Sequence, residues 1–318
     1  MNLSFAPMEG ITGADYRRVH RRFFPWADRY FAPFIAPDAQ GNLKRSHLRA
    51  LLPEANAGLE LVPQILTNNA ASFLRAAQTL AELGYREVNF NAGCPSGTVV
   101  SKHKGAGMLG DVAALDAFLD AVFAKTPVAV SVKTRLGLRS TAEFPALLEV
   151  YMRYPIKELI VHARDREGMY KSKPDRAVFA AAMADCRCPI CYNGDVFTAE
   201  DVSSLRRELP GLERLMLGRG AVMNPALFRV LRGGEPLARE ELRAFHDALL
   251  EETLAGGLPP VYAIARMKEL WYYMIWLFPD SRQQYKAINK SRDLAAYRDA
   301  VGALFAQAAF DPAARFGG

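Results

Sequence analysis

The chain has 318 residues, of which 50% are hydrophobic and 23% charged, with a formal net charge of +6. This composition is ordinary for a globular protein and allows one large domain with a smaller one. No apolar run is long enough to span a bilayer, and residues 1–8 lack the features of a signal peptide. The four cysteines do not form a disulfide framework, so we expect a cytoplasmic protein. We expect no membrane partner and no obligate protein partner.

Short β-rich apolar runs alternate with longer helical patterns over residues 3–217. The predicted strands cover 3–6, 29–34, 61–66, 87–91, 128–134, 158–162, 189–193 and 214–217. The predicted helices cover 13–22, 44–51, 69–82, 111–124, 142–152, 175–185 and 198–207, with another after 220. Eight such units predict an α/β fold with parallel strands, a (β/α)8 TIM barrel. A doubly wound sheet is the alternative, but residues 6–10 lack the glycine-rich fingerprint that it needs.

The strand signals stop near residues 233–236, and the rest of the chain is predicted to be helical, at 239–255, 260–277, 281–290 and 293–309. We therefore predict a barrel domain over 1–237 and a small C-terminal helical bundle over 238–318. An aromatic set in this bundle is interpreted as core rather than as a base-stacking platform. It comprises Trp271, Tyr272, Tyr273, Trp276 and Phe278.

Two segments concentrate positive charge, which suits a phosphate backbone, although each alone is also typical of a solvated helix face. The first is the early helix that carries Arg17, Arg18, Arg21 and Arg22. The second covers residues 257–298 and contains Arg266, Lys268, Arg282, Lys286, Lys290, Arg292 and Arg298.

Polar side chains follow nearly every predicted barrel strand, at the edge where barrel enzymes carry their active sites. They are Pro7 and Met8, Gln64, Asn91 and Cys94, Lys133 and Arg135, His162 and Arg164, Asn193-Gly194-Asp195, and Gly218-Arg219-Gly220. Taken singly, Lys133 could pair with a carboxylate and His162 could be a satisfied core histidine. The last two glycine turns together indicate a phosphate site, because glycine lets backbone amides approach an anion. Lys133 would then place a cation in the barrel mouth, where it could stabilise a reduced cofactor ring.

Cys94 lies at a sharp turn after the fourth predicted strand and precedes a polar, glycine-rich loop over residues 96–107. A thiol beside a loop that can open and close is a candidate acid or nucleophile. An isolated cysteine can equally be a small buried side chain.

The other cysteines form the cluster Cys186, Cys188 and Cys191. A metal or iron–sulfur site is one interpretation, but no fourth ligand lies nearby in the sequence, so we expect no metal. Alternatively, Cys191 is a small buried side chain near the start of the predicted strand 189–193.

An ordered set of motifs resembles the dihydrouridine synthases, a family of flavin-dependent enzymes that reduce uridines in tRNA. The motifs are residues 6–12 (APMEGIT), 89–95 (NFNAGCP), 105–109 (GAGML), 131–137 (SVKTRLG), 162–164 (HAR), 193–195 (NGD) and 218–220 (GRG). The resemblance implies flavin mononucleotide (FMN) as cofactor, NADPH as electron donor and tRNA as partner.

The resemblance also implies roles for individual residues. Pro7, Met8, Glu9, Gln64, Lys133, His162, Asn193, Gly194, Asp195, Gly218 and Arg219 would bind the cofactor. Asn91, Arg135 and Arg164 would lie near the uracil, and Cys94 would protonate uracil C5 after hydride transfer from reduced FMN to C6. The family often has Asp where this chain has Asn89, and we expect the Asn89 side chain to face away from Asn91.

Two other functions remain open at this point. A flavin barrel that acts on a free pyrimidine, of the dihydroorotate dehydrogenase type, would share the fold and the cofactor but would not need a basic helical domain. A non-catalytic RNA-binding module would not need Cys94, Lys133 and both glycine turns together.

Overall fold

A computed structural model describes residues 1–169, 172–257 and 259–317. Leu258, in the predicted break between two C-terminal helices, and Gly318, at the end of the predicted helical domain, lie outside the described residues, as do Tyr170 and Lys171. The chain divides into two compact units. The first comprises 1–7, 28–194 and 206–216, and the second comprises 8–27, 195–205 and 217–318.

Within the described residues, nine parallel strands form one sheet. They are β1 (Asn2–Phe5), β2 (Arg29–Phe31), β3 (Leu61–Val62), β4 (Gln64–Ile65), β5 (Glu87–Ala92), β6 (Ala129–Gly137), β7 (Leu159–Asp165), β8 (Ile190–Asn193) and β9 (Arg214–Leu217). Their order is β3-β2-β1-β9-β8-β7-β6-β5-β4. The first and last strands in this order, β3 and β4, are separated in the chain only by Pro63. The predicted strand 61–66 therefore pairs with β2 on one side and with β5 on the other, and it closes the sheet into a barrel. The predicted α/β barrel is confirmed.

Pro63 divides the closing strand because proline has no backbone N–H to donate to a neighbouring strand. Its carbonyl still accepts a hydrogen bond from the Asn89 amide of β5 at 2.8 Å. On the other side, the Ile35 amide donates to the Gln64 carbonyl at 2.8 Å and the Leu66 amide donates to the Ile35 carbonyl at 2.9 Å. The closing strand is therefore hydrogen-bonded along both of its edges.

The helices follow the predicted pattern with small shifts at their ends. They are α1 (Ala14–Phe23), α2 (Arg45–Arg49), α3 (Ala70–Glu82), α4 (Gly97–Val100), α5 (Val112–Phe123), α6 (Phe144–Tyr151), α7 (Arg176–Asp185), α8 (Ala199–Glu208), α9 (Arg219–Met223), α10 (Leu227–Val230), α11 (Arg239–Ala255), α12 (Pro260–Met274), α13 (Arg282–Lys290) and α14 (Leu294–Gln307). Side chains of Asn69, Asp111, Asp175 and Asp293 accept hydrogen bonds from the first turns of α3, α5, α7 and α14. Such caps fix where each helix begins.

Alternate residues of the strands serve two different cores in the first unit. Outward side chains pack on helices: Phe90 of β5 stacks on Phe118 of α5 at 4.6 Å between ring centroids, and Tyr192 of β8 meets Phe179 of α7 at 5.0 Å. Inward side chains fill the barrel with an apolar layer composed of Ala6, Phe31, Val62, Ile160, Cys191 and Met216. Polar inward residues begin beyond this layer, toward the carboxyl ends of the strands.

The amino ends of the strands carry a cluster of buried charges. Arg29 bonds Glu87 at 2.6 Å and Glu158 at 2.8 Å, and both carboxylates are almost completely buried. Lys157 adds a contact to Glu87, and Arg214 adds one to Glu158. A buried charge without a partner is strongly destabilising, so each member of this cluster depends on the others. Removal of Arg29 alone would therefore leave two buried carboxylates with weaker partners and destabilise the fold.

The loop at 96–107 contains more regular structure than the sequence predicted. Residues 97–100 form α4, and Gly105–Gly110 form a 3₁₀ helix in which Ala106 is fully buried. Lys102 and His103 lie exposed between these turns. The second half of the segment packs into the first unit because its small residues fit against the Cys94 turn.

The second unit contains α1 and the helices α9–α14. Its core includes Tyr297, whose hydroxyl accepts a hydrogen bond from Trp271 Nε1 at 2.9 Å and lies 2.8 Å from His246 Nε2. The interpretation of the aromatic set as core is confirmed for Trp271 and Phe278, whereas Tyr272 and Trp276 are 47% and 37% exposed. Tyr272 lies on the exposed face of α12, and Trp276 lies in the short 3₁₀ turn Ile275–Leu277 that follows this helix, so neither side chain is part of the core. Among the described residues, no helix is long and apolar enough to cross a membrane.

Candidate active site

Four polar side chains form a continuous line of hydrogen bonds inside the barrel. Asn91 Nδ2 donates to Gln64 Oε1 at 2.7 Å, and Gln64 Nε2 donates to Asn89 Oδ1 at 2.7 Å. Asn89 Nδ2 then donates to Ser131 Oγ at 2.9 Å. We call this line the amide relay. All four residues are buried, and such a network rigidifies its surroundings when every member is satisfied.

The expectation that Asn89 faces away from Asn91 is wrong. Both side chains bond to the same Gln64 amide, because residues two positions apart lie on the same face of a strand. An amide at position 89 accepts from Gln64 and donates to Ser131 at once, which an ionised aspartate does not do. Ser131 was not among the predicted site residues. It lies two positions before Lys133 on β6 and therefore on the same inward face of the strand.

The Cys94 turn is built on the amide relay. Asn91 Oδ1 accepts hydrogen bonds from the backbone amides of Gly93 at 3.0 Å and Cys94 at 2.9 Å. The Cys94 carbonyl accepts from the Ala106 amide at 3.1 Å. Gly105 has a φ of +56°, and a Cβ there would lie 2.9 Å from Cys94 Cβ. Only glycine therefore fits at position 105, and Cys94, partly exposed and not in a disulfide, is held from both sides.

Lys133 projects from β6 among these groups and is partly exposed. Its pKa is lowered from 10.5 to about 8, mainly by burial and also by the neighbouring charge of Arg135, while Cys191 and Cys94 act in the opposite direction. Among the residues that the structure describes, no hydrogen bond or ion pair reaches its ammonium group. A half-buried cation with no acid partner among the described residues suits an anionic or electron-rich ligand.

The predicted uracil-side residues are buried and make defined contacts. Arg135 donates to the carbonyls of Gly93 and Asp165, both at 2.9 Å, and so ties the Cys94 turn to the end of β7. Arg164 donates to the Ser172 carbonyl at 2.6 Å, and its Nη1 lies 3.3 Å from His162 Nε2. Because arginine only donates, His162 Nε2 accepts in this contact and Nδ1 carries the ring proton.

The predicted glycine turns fall in both units. In the first unit, Asn193 Nδ2 donates to the Met216 carbonyl at 2.9 Å, and a Cβ on Gly194 would clash with the Tyr192 hydroxyl. Pro7 follows β1 in the same unit.

In the second unit, Arg219 bonds Asp195 at 2.5 Å and lies over the rings of Phe197 and Phe316. Gly218 precedes α9, and Met8 is fixed in its turn by hydrogen bonds with Thr12. Glu9 is exposed.

The remaining cysteines do not gather in one place. Cys186 and Cys188 lie with their Sγ atoms 3.5 Å apart, whereas Cys191 is a member of the apolar layer inside the barrel. Over the described part of the chain, no group of three or more His, Cys, Asp or Glu side chains is placed to hold a metal ion.

The closed barrel and the polar side chains at its strand ends define the chain as a (β/α)8-barrel enzyme. The chain belongs to the dihydrouridine synthase family, because residues 4–277 match the family described as "Dihydrouridine synthase (Dus)". This is a family of flavin-dependent oxidoreductases.

Individual relatives agree with this assignment. The chain is 29% identical to tRNA-dihydrouridine synthase B of Pseudomonas aeruginosa, over 96% of this chain and 93% of that protein. It is 26% identical to tRNA-dihydrouridine(16) synthase of Pseudomonas putida, over 95% of this chain and 97% of that protein. Among solved structures, a variant of NCR from Zymomonas mobilis is similar at a TM-score of 0.49 and 16% identity, over 74% of this chain and 88% of that one.

The lowered pKa of Lys133 predicts a pH-dependent effect of its replacement. In flavin-free protein, Lys133→Met should raise the free energy of unfolding at pH 7, because it removes a buried charge. Wild-type stability should rise between pH 8 and pH 10, where the unfolded chain binds more protons at this position than the folded chain. The difference in free energy of unfolding between Lys133→Met and the wild type should therefore shrink from pH 8 to pH 10. Urea unfolding of both proteins at pH 7, 8 and 10 measures this difference. A difference that stays constant with pH would contradict the shifted pKa.

Proposed function

We propose that this chain is a tRNA-dihydrouridine synthase that reduces specific uridines of tRNA to 5,6-dihydrouridine. The observation that carries the proposal is the Cys94 turn, which Asn91 holds in a barrel of the dihydrouridine synthase family. Lys133 lies near this turn and has no acid partner among the described residues. The names and near-complete coverage of the tRNA-dihydrouridine synthase relatives support tRNA as the substrate.

We further propose FMN as the flavin and NADPH as the electron donor. In the first unit, Pro7, Gln64, Lys133, His162, Asn193 and Gly194 are the proposed cofactor residues. In the second unit, Met8, Glu9, Asp195, Gly218 and Arg219 keep the cofactor roles that the resemblance implies. Bound there, a reduced flavin would supply the hydride that uracil C6 accepts. Lys133 supports this assignment, because its ammonium group has no acid partner among the described residues and can stabilise negative charge on a reduced ring.

The protein's own contribution to the reaction is to orient the base and to deliver a proton. Cys94 holds the proton that passes to uracil C5, so its thiol is protonated when the substrate binds, unlike a nucleophilic cysteine. Asn91 and Arg135 fix the turn that carries Cys94 through its backbone, and these two residues and Arg164 are the proposed uracil-side residues. The target base must leave its stack to reach a barrel mouth, at a cost of a few kcal/mol.

Exposed cations of the second unit supply a surface for the RNA backbone. Arg282, Lys286 and Lys290 repeat every fourth residue along α13, which contains no acidic residue, and Arg292 follows. All four are exposed, and no hydrogen bond or ion pair to another described residue engages them. By contrast, Arg17 is buried, Arg18 pairs with Glu252, and Arg266 pairs with Asp15. We therefore place the RNA contact on α13 rather than on α1.

The substrate class is tested by supplying purified protein and NADPH with unmodified tRNA, free uracil or orotate. We expect dihydropyrimidine to form only in tRNA, because the basic surface on α13 binds a phosphate backbone, which free uracil and orotate lack. Turnover of orotate or uracil at a rate similar to that of tRNA would instead identify an enzyme for free pyrimidines. The absence of any flavin from the purified protein would favour a non-catalytic RNA-binding module.

Replacement of Cys94 should affect one chemical step. Cys94→Ala should bind flavin and tRNA and accept hydride from NADPH, but oxidation of the reduced flavin by tRNA should slow by about 10²–10⁴-fold, the usual contribution of a positioned general acid. Cys94→Ser should restore only part of the rate, because a hydroxyl is a weaker acid than a thiol. Single-turnover reoxidation measures the rate. Cys186→Ala, which removes another partly exposed thiol, is the control. A normal rate in Cys94→Ala, with only a lower melting temperature, would assign Cys94 a packing role.

Charge reversal on α13 should weaken RNA binding. The triple variant Lys286→Glu, Lys290→Glu, Arg292→Glu should bind tRNA less tightly and with a flatter dependence on salt, because fewer counterions are released. Its flavin should still be reduced by NADPH at the parental rate. The matched control reverses the exposed Lys125, Arg206 and Arg207 and makes the same change in net charge. Equal tRNA affinities for the two triple variants at every salt concentration would remove α13 from the interface.

A further inference from the structure

An open groove of about 360 Å³ lies in the second unit, between the end of α12 and the start of α13. Its walls include Tyr272, Trp276 and Tyr285, and its lining is completed by Ile275, Phe278, Pro279, Asp280, Ser281 and Arg282. Its volume falls within the usual range for small-molecule sites, roughly 300–1,000 Å³. Single exposed aromatic side chains are common on protein surfaces, whereas neighbouring ones that line a groove are typical of interaction sites.

The aromatic walls are fixed by packing from behind. Phe278 is buried and contacts the rings of Trp271, Phe305 and Phe310 at 5.2–6.1 Å between centroids, so the floor of the groove belongs to the core. Trp276 and Tyr272 both contact Phe316, at 5.6 and 5.8 Å. Because these rings are already held in place, a planar ligand would stack against them with little loss of side-chain entropy.

The charges around the groove favour a polyanion that carries aromatic groups. Arg282 lies in the lining, and Lys286 follows one turn later on α13, whereas Asp280 is the acidic residue in the lining. The cations continue away from the groove along α13, so a phosphate backbone can follow them. Asp280 repels phosphate but can accept hydrogen bonds from the N–H groups of a base edge. Aromatic walls beside a basic track are the arrangement that binds single-stranded nucleic acids.

We propose that this groove stacks one unpaired nucleotide of bound RNA against the exposed rings of Tyr272 and Trp276, with its phosphate directed toward Arg282. This inference rests on the proposed function and deepens it, because it names a base-binding subsite in the second unit in addition to the Cys94 turn of the first unit. Such a subsite would help to orient the RNA on the second unit.

The test compares two exposed tyrosines of the same helix. Tyr262 lies at the start of α12, is 61% exposed and does not line the groove, so Tyr262→Ala is the matched control for Tyr272→Ala. Tyr272→Ala should weaken binding of an unmodified tRNA transcript about tenfold, as expected for loss of one stacking contact. The salt dependence of binding should keep its parental slope, because no charge is removed. Tyr272→Phe should bind like the parent.

Several outcomes separate this inference from the function on which it rests. If the parent does not bind tRNA, the proposed function itself fails. If the parent binds and Tyr272→Ala binds equally well, only the groove assignment is overturned. A changed oligomeric state in Tyr272→Ala, with unaltered tRNA affinity, would mean that the groove contacts a second copy of the chain. If Tyr272→Ala melts at a lower temperature than the parent, the comparison is repeated at Trp276, the other aromatic side chain of the groove. Trp276→Ala should then weaken tRNA binding, whereas Trp276→Phe should bind more like the parent.

Discussion

Gln64 joins two neighbouring strands through its side-chain amide, since it accepts a hydrogen bond from Asn91 and donates one to Asn89. The position of Cys94 depends on this link, because the oxygen of the same Asn91 amide holds the backbone of the turn. An amide is suited to this task, as it donates and accepts at once and adds no charge to a buried site. The Cys94 turn is therefore held by the neutral Asn91 amide together with the Arg135 guanidinium, and Lys133 lies near it.

The two ends of the barrel treat charge in opposite ways. At the amino ends of the strands, Arg29 satisfies two buried carboxylates, and the positive and negative groups neutralise each other. At the carboxyl ends, the half-buried Lys133 has no acid to pair with among the described residues, and loss of solvent around its ammonium group lowers its pKa. Such a cation costs stability in the absence of a ligand.

The sequence predicted the strands because each is a short apolar run bounded by turn residues, and the polar residues after them marked the mouth of the barrel. It did not predict that Asn89 and Asn91 share one partner, because that depends on the pairing of Gln64 with Asn89 across β4 and β5. Nor did it show that Tyr272 and Trp276 are exposed, since helical spacing alone does not indicate which face another helix covers. Local pattern identifies elements, whereas partners are set by contacts between residues far apart in the chain.

The division of the closing strand at Pro63 has a consequence for the Cys94 turn. Gln64 belongs to the two-residue segment that seals the sheet, and its side chain reaches Asn89 and Asn91 only when that segment lies against β5. The two Gln64 links of the amide relay therefore form only when β4 is paired with β5. Because one of these links orients Asn91, whose amide oxygen holds the backbone of the Cys94 turn, a substitution that weakens the pairing of β4 with β5 should also loosen that turn.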